Sequence, residues 1–419
     1  MHETLGYLHP GSSSADRAPA IETWYDRSLQ VDTCKMGVGM EFGYFAQVFV
    51  PDKVAETTPG YEQRRLLDNL ELSIRAEEFG FKYVWASEHH FLREYSHMSA
   101  PEVFLASVAS RTERIHLGSA IFNITAPVNH PVRTAERAAM LDNLSDGRFE
   151  LGTGRGSSTT EMFGFGIPEI DHSKVLWDEA IREIPKMWRD GFYSYEGESF
   201  SVPPREIFPK PVARPHPPMW VACGNPPTFE KAGRMGLGVL CFTVGAPAEL
   251  ARLIEVYKNA VQKAEPVGDF VNDNVMCVTH LSCMPDRNEA FELNTHIDMR
   301  LYQSLVYRWL NTFPKPAGVP DWPAVMPEPT LDEIKQQVDA GIIAVGDPED
   351  CARVCQQYES AGADQLVVSP MTTTTPFETA VASMKLFGQE VIPRFDTDPT
   401  FRSDRMREAA LTTRDRSSS

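Results

Sequence analysis

Cysteine is sparse and scattered in this chain: seven residues in 419, at positions 34, 223, 241, 277, 283, 351 and 355, with no CxxC pair among them. An odd, dispersed set excludes a disulfide-stapled scaffold and a closely ligated structural zinc. It reads instead as reduced, mostly buried thiols of a cytoplasmic protein. Long apolar runs are also missing, since none approaches the ~18 residues of a membrane span, and no charged-then-apolar signal segment opens the sequence. Basic clusters are absent. With 40 Lys and Arg against 58 Asp and Glu, the net charge of −18 argues against nucleic-acid binding, which needs a concentrated basic face. One arginine and a helix N-terminus still suffice for a small phosphorylated ligand. HExxH is absent and no carboxylate–histidine set has ligand spacing, so no metal site is expected.

What is present is an ordinary globular composition, 42% hydrophobic and 23% charged, with enough chain for a large core. The ends differ from the middle. Residues 1–35, which include HPGSSSADRAPA, lack periodicity and read as a flexible arm, with Met36 or Met40 as a conceivable original start. Residues 396–419 read as a polar tail ending in RDRSSS.

Between the ends, short apolar runs alternate with helical patterns. Strands are expected at 40–45, 83–87, 116–121, 148–152, 219–222, 239–243, 274–284 and 365–369. Helices are expected at 63–79, 101–111, from 130 to 147, 173–188, 228–235, 247–263, 288–310 and 348–360. The Pro-rich stretch 191–218 has room for a small hairpin, and 312–329 is a long irregular loop suited to a lid. Eight such alternations with buried-type strands predict an α/β fold, a (β/α)8 TIM barrel with loop insertions spanning 36–395.

In such a barrel the residues just beyond each strand line the site. The second strand delivers His89 and His90, suited to proton transfer. The third delivers Asn123. The fourth ends in Gly152–Ser157, read as GxGxGS and not as the dinucleotide fingerprint GxGxxG. There Gly154 and Gly156 let backbone approach a planar or phosphorylated ligand and Arg155 offers a fixed cation. The fifth runs through Ala222, Cys223 and Gly224 to Thr228, where a helix start and a hydroxyl suit a phosphate. Cys223 has no base or charged neighbour in sequence, so a nucleophilic role is not expected.

These motifs carry a resemblance. EEFGFKYVWASEHH (77–90), HPVRTAE (130–136), LDNLSDGRFELGTGRGSS (141–158), PPMWVACGNPPT (217–228) and GDPEDCARVCQQYESAGADQLVVSP (346–370) together resemble the bacterial luciferase-like flavin-dependent monooxygenase family. The resemblance implies a barrel binding FMN at its C-terminal face, usually as a homodimer packed through the second and third helices. It implies that His89 is the catalytic histidine with His90 beside it, and that Arg155 lies near the flavin phosphate and the reacting oxygen. The 222–228 segment becomes the phosphate loop, and Ala120 the position beside the flavin ring where a non-prolyl cis peptide is common. Two positions depart from the pattern. Gly154 stands where luciferase itself has a reactive cysteine, so light emission is not implied, and Cys223-Gly224 replaces an acid–serine pair of the phosphate loop.

The expected activity is a two-component monooxygenation. A separate flavin reductase supplies reduced FMN, O2 adds to give a C4a-peroxyflavin, and one oxygen atom passes to a small organic substrate. Two alternatives stay open: hydride transfer with coenzyme F420 on the same fold, and a flavin-binding barrel without turnover.

Overall fold

In the computed structural model, which describes residues 39–242 and 245–417, eight parallel strands close into a barrel. They are β1 Glu41–Ala46, β2 Tyr83–Ala86, β3 His116–Ser119, β4 Phe149–Gly154, β5 Met219–Cys223, β6 Gly238–Cys241, β7 Val275–Cys283 and β8 Gln365–Val368. Each pairs with its neighbour in chain order, and β8 returns to β1 with Gln365 opposite Glu41. The expected TIM barrel is therefore present strand for strand. Runs such as YVWA and QLVV are buried along their whole length, because helices cover the outer face of a parallel barrel while side chains fill the inside. Proline opens many of those helices, at Pro101, Pro131, Pro226, Pro247 and Pro348, where its missing N–H costs nothing and its fixed φ suits the first turn.

The interior is layered. At mid-height Trp85 and Trp220 meet edge to face at 5.2 Å, and glycine makes the room. A Cβ on Gly118 would lie 2.1 Å from the Trp85 ring, and one on Gly238 2.5 Å from that of Trp220. Below the rings lies a polar base. Trp85 donates Nε1–H to Gln365 at 2.6 Å, Trp220 donates to Glu150 at 2.7 Å, and Tyr83 donates its hydroxyl to Glu41 at 2.7 Å.

Three stretches differ from expectation. The single helix expected at 288–310 is two, Arg287–Leu293 and Met299–Trp309. Neither Gly nor Pro breaks it. The break is tertiary: the Asn294 side-chain oxygen Oδ1 lies 2.9 Å from His280 Nε2, and Asp298, at φ 58°, pairs with Lys53 and accepts from Thr374. A further parallel strand, Ile343–Gly346, pairs with the upper half of β7 and follows an unanticipated helix, Leu331–Asp339. The expected hairpin in 191–218 forms, from Tyr193–Glu196 and Ser201–Arg205. The expected arm at 1–35 lies outside the described residues.

The third difference concerns residues 396–419, read as a tail. Their first part closes the base of the barrel. Asp396 pairs with Lys82 at 3.0 Å, and the backbone N–H of Arg402 donates to Glu41 at 3.0 Å. Ser403, in the first turn of helix Arg402–Ser417, donates to Glu150 at 2.5 Å. Phe401 stacks on His116 with centroids 3.9 Å apart. His116 is itself held by Glu150 at 2.9 Å and Asp404 at 3.6 Å. The segment is polar because the surface it covers is polar.

Burial opposes charge on His116, but the hydrogen bonds and charges of Asp404 and Glu150 outweigh it and push its pKa from 6.5 up to about 9. A raised histidine pKa contributes stability that is complete below about pH 6.5 and is lost as pH rises through about 9. The full difference is about 3 kcal/mol. Urea unfolding of the wild type should therefore show falling stability across that window, with a flatter profile for His116→Phe. Equal slopes would show that the imidazolium does not hold the base together.

Candidate functional site

The C-terminal rim of β2 runs directly into Ser87-Glu88-His89-His90. The rim of β3 is tied to it where Ala120 N–H donates to Ala86 O at 2.7 Å. The Ala120–Ile121 peptide is cis, and Phe122–Asn123 then pairs beside Thr153 and Gly154 at the end of β4. Three strand ends therefore converge on one side of the mouth.

Two buried carboxylates organise the histidines. Glu88 accepts from Asn129 at 3.0 Å and from Asn123 N–H at 3.3 Å, and its Oε1 lies 3.1 Å from His90 Nε2. Glu161, on the short helix Thr159–Gly164, accepts from His90 N–H at 2.8 Å, and the same oxygen lies 3.3 Å from His89 Nδ1. Its second oxygen is buried without a hydrogen-bond partner among the described residues. Burial raises the Glu88 pKa despite His90. His90 is raised as well, because the Glu88 hydrogen bond and the charges of Glu88 and Glu161 outweigh burial. The pair therefore holds one proton firmly, and the histidine is the ordinary place for it.

Aromatic side chains stand around His89. Tyr95 meets it edge-on at 5.1 Å and stacks with Tyr302 at 5.5 Å, while Tyr302 donates to Gln47 at 3.1 Å. Phe45 and Phe242, 5.6 Å apart, join Ala120 and Ile121 in the inner apolar cluster. On β7, two and four residues beyond the interior Met276, Val278 and His280 are half-buried. His280 bridges Ser369 O at 3.2 Å and Asn294 at 2.9 Å, and burial holds its pKa below the ordinary value.

Beyond β4, Arg155 is half-buried and donates to Ser173 at 3.0 Å. It forms no ion pair with a carboxylate among the described residues. Burial lowers its pKa without removing its charge. Gly156 adopts φ +77°, and a Cβ there would lie 3.4 Å from the Asn123 amide nitrogen. The Ser158 hydroxyl is buried without a hydrogen-bond partner among the described residues.

The rim of β5 is arranged differently. Ala222 is half-buried, but Cys223 packs in the outer core, its thiol donating to Thr228 O at 3.4 Å and pushed up in pKa by burial. Thr228 and Asn225 form a reciprocal capping box, and the Thr228 hydroxyl accepts from both Gly224 and Asn225 N–H at 3.3 Å. The donors expected for a phosphate are thus engaged within the loop, and the Phe313 ring lies over Gly224. Thr312, just before it, donates to Ser157 O through its N–H and its hydroxyl.

His89, His90, Ala120, Asn123, Gly154, Arg155 and Gly156 therefore belong to one side of the mouth. Ala222 and Gly224 sit on the next rim, and the Cys223 side chain faces away. Sequence reading missed Glu161, His280 and the Gln47–Tyr95–Tyr302 set. Only Glu161 left a signal, as the acid following the glycine-rich loop. The residues fit a phosphorylated planar cofactor: an unpaired half-buried cation, an orphaned hydroxyl and a small-residue apolar floor adjoin one another along β3 and β4.

Residues 40–365 match the family model described as luciferase-like monooxygenase. The chain is 30% identical to a protein of Sinorhizobium fredii over 79% of this chain and 92% of that one. It is 29% identical to the oxygenase component of flavin-dependent trigonelline monooxygenase from Acinetobacter baylyi, covering 54% of this chain and 62% of that one. It is also 26% identical to F420-dependent glucose-6-phosphate dehydrogenase from Amycolatopsis mediterranei, over 72% and 87%. Among solved folds, the oxygenating constituent of 3,6-diketocamphane monooxygenase from Pseudomonas putida, in complex with FMN, superposes with TM-score 0.68 at 19% identity, over 85% of this chain and 98% of that one.

The geometry at Glu88 makes a direct prediction. Glu88→Gln keeps the shape and removes the charge, so the His90 imidazole should titrate lower than in the wild type, read from its C2–H resonance. An unmoved titration would mean that Glu88 does not hold the proton on His90.

Proposed function

The chain belongs to the luciferase-like monooxygenase family, and on that premise we propose that it is the oxygenase component of an FMN-dependent two-component monooxygenase. The observation that carries this reading is the pair of carboxylate-held histidines on the β2 rim with Arg155, which has no carboxylate ion pair among the described residues, on the β4 rim of the same side of the barrel mouth. Arg155, with the Gly156–Ser158 turn, would hold the phosphate, a charge-assisted contact for which the guanidinium has donors to spare. Phe45, Ala120, Ile121 and Phe242 would bound the ring and keep water from it. Bound reduced FMN would supply the two electrons that let one atom of O2 enter an organic substrate while the other leaves as water. His89 would exchange a proton with the reacting oxygen or the substrate, with His90 locked in support by Glu88. A separate reductase would deliver the reduced flavin. A second copy of the chain would pack on helices Pro101–Ala109 and Pro131–Leu144, whose Val103, Met140 and Leu144 are exposed.

The dehydrogenase relative supports one other reading, hydride transfer with F420. The two readings separate in stopped flow. Protein mixed with reduced FMN and then with oxygenated buffer should reoxidise the flavin in a fast and a distinctly slower phase, and His89→Ala should shorten the slow phase about tenfold or more. A single phase at the rate of free FMN, together with tighter binding of F420, would replace the monooxygenase reading with the hydride-transfer one.

The phosphate contact has its own test. Arg155→Ala should weaken FMN binding about tenfold to a hundredfold while changing riboflavin binding little, since only FMN carries the phosphate. Equal losses for both ligands would remove Arg155 from the phosphate.

A further inference from the structure

Glu161 stands where the family reading assigns no role. Its side chain is 5% exposed and crosses from the β4 rim to the β2 rim, where one oxygen contacts both His90 N–H and His89 Nδ1. The contact to His90 N–H alone would tie the two loops together, so the approach to the His89 ring is additional.

Donor accounting fixes the proton. Were Glu161 protonated, the proton would sit on Oε2, because Oε1 already accepts from His90. That oxygen is buried with neither a donor nor an acceptor as partner among the described residues. In either form Oε1, which already accepts from His90 N–H, acts as an acceptor, and that puts a hydrogen on His89 Nδ1. His90 cannot take the same place, because its Nε2 is engaged by Glu88. Nε2 of His89 has no hydrogen-bond partner among the described residues, and its side chain keeps 16% of its surface open.

We infer that Glu161 is a positioning residue that fixes His89 as the Nδ1–H tautomer and leaves the Nε2 lone pair at the barrel mouth as a proton acceptor. The inference rests on the reading of His89 as the group that handles a proton in the proposed monooxygenation, and it gives that proton a direction, from the reactants to His89.

Imidazole nitrogen shifts of the flavin-free protein, assigned with His89→Gln, report which ring nitrogen carries the hydrogen. The wild type should show Nδ1 protonated and Nε2 bare. Glu161→Ala should shift the population toward Nε2–H, and Glu161→Gln, whose carbonyl oxygen can still accept, should restore the wild-type pattern. In the stopped-flow experiment with reduced FMN as probe, Glu161→Ala should shorten the slow phase about tenfold or more, and Glu161→Gln should recover it to within about threefold. A wild type already in the Nε2–H form, or a tautomer indifferent to Glu161→Ala, overturns the inference. A tautomer that switches with no change in the slow phase overturns the positioning role. A wild type without any slow phase would sink the monooxygenase reading instead, while the nitrogen shifts still decided the tautomer.

Discussion

An ionised carboxylate taken out of water costs several kcal/mol unless donors or a cation replace its hydration. Glu41, Glu150, Glu88 and Glu161 are each nearly closed to solvent, and much of the molecule is arranged around supplying them with donors. Glu41 takes Lys82, the Tyr83 hydroxyl and the Arg402 N–H. Glu150 takes Trp220, His116 and Ser403. Glu88 takes His90, Asn123 N–H and Asn129. The two at the base draw the C-terminal segment under the barrel, and the two at the rim draw the loops of β2, β3 and β4 into one site.

The need to satisfy these groups explains which parts of the molecule could be read from sequence. The strands were legible because a parallel barrel buries both faces of each, so apolar runs stand out between Pro-opened helices. The strand ends were legible for the same reason, and His89, Asn123 and Arg155 followed by position. Contacts made across the chain left no local mark. Glu161 reaches His90 over 71 residues, and Ser403 reaches Glu150 over 253. The base-closing segment was misread because polar residues normally mean solvent, whereas these face polar groups inside the barrel. The break at 294–298 was hidden because its causes, His280, Lys53 and Thr374, lie on other elements.

The segment after that break frames the opposite side of the mouth. Helix Met299–Trp309 packs Leu305 against Phe49, Leu92 and Tyr95, so the rings beside His89 are fixed partly by the insertion and not only by the barrel. Thr312 then fastens to the β4 loop and Phe313 covers Gly224 on the β5 rim. The capping box beneath Phe313 satisfies its own donors, whereas Arg155 and Ser158 on the β4 side do not. The proposed phosphate contact is therefore assigned to the β4 rim on energetic grounds, since a half-buried cation without a carboxylate ion pair among the described residues gains most from a counter-charge.

The two ends of the barrel use the same chemistry for opposite purposes. At the base, His116 lies between Glu150 and Asp404 under the Phe401 ring, with 3% of its side chain exposed. A proton there has no path to water without opening the plug, so the imidazolium behaves as a fixed charge. At the rim, the side chains of His89 and His90 retain 16% and 19% exposure, each with a single carboxylate partner. A proton held by one carboxylate at an open mouth can be exchanged, whereas one shared by two carboxylates in a closed base is structural. Nothing in the residue types separates the two cases. What separates them is the covering: a C-terminal segment drawn in by Glu41 and Glu150 seals one end, while aromatic walls at the other end leave the ring nitrogen of His89 uncapped.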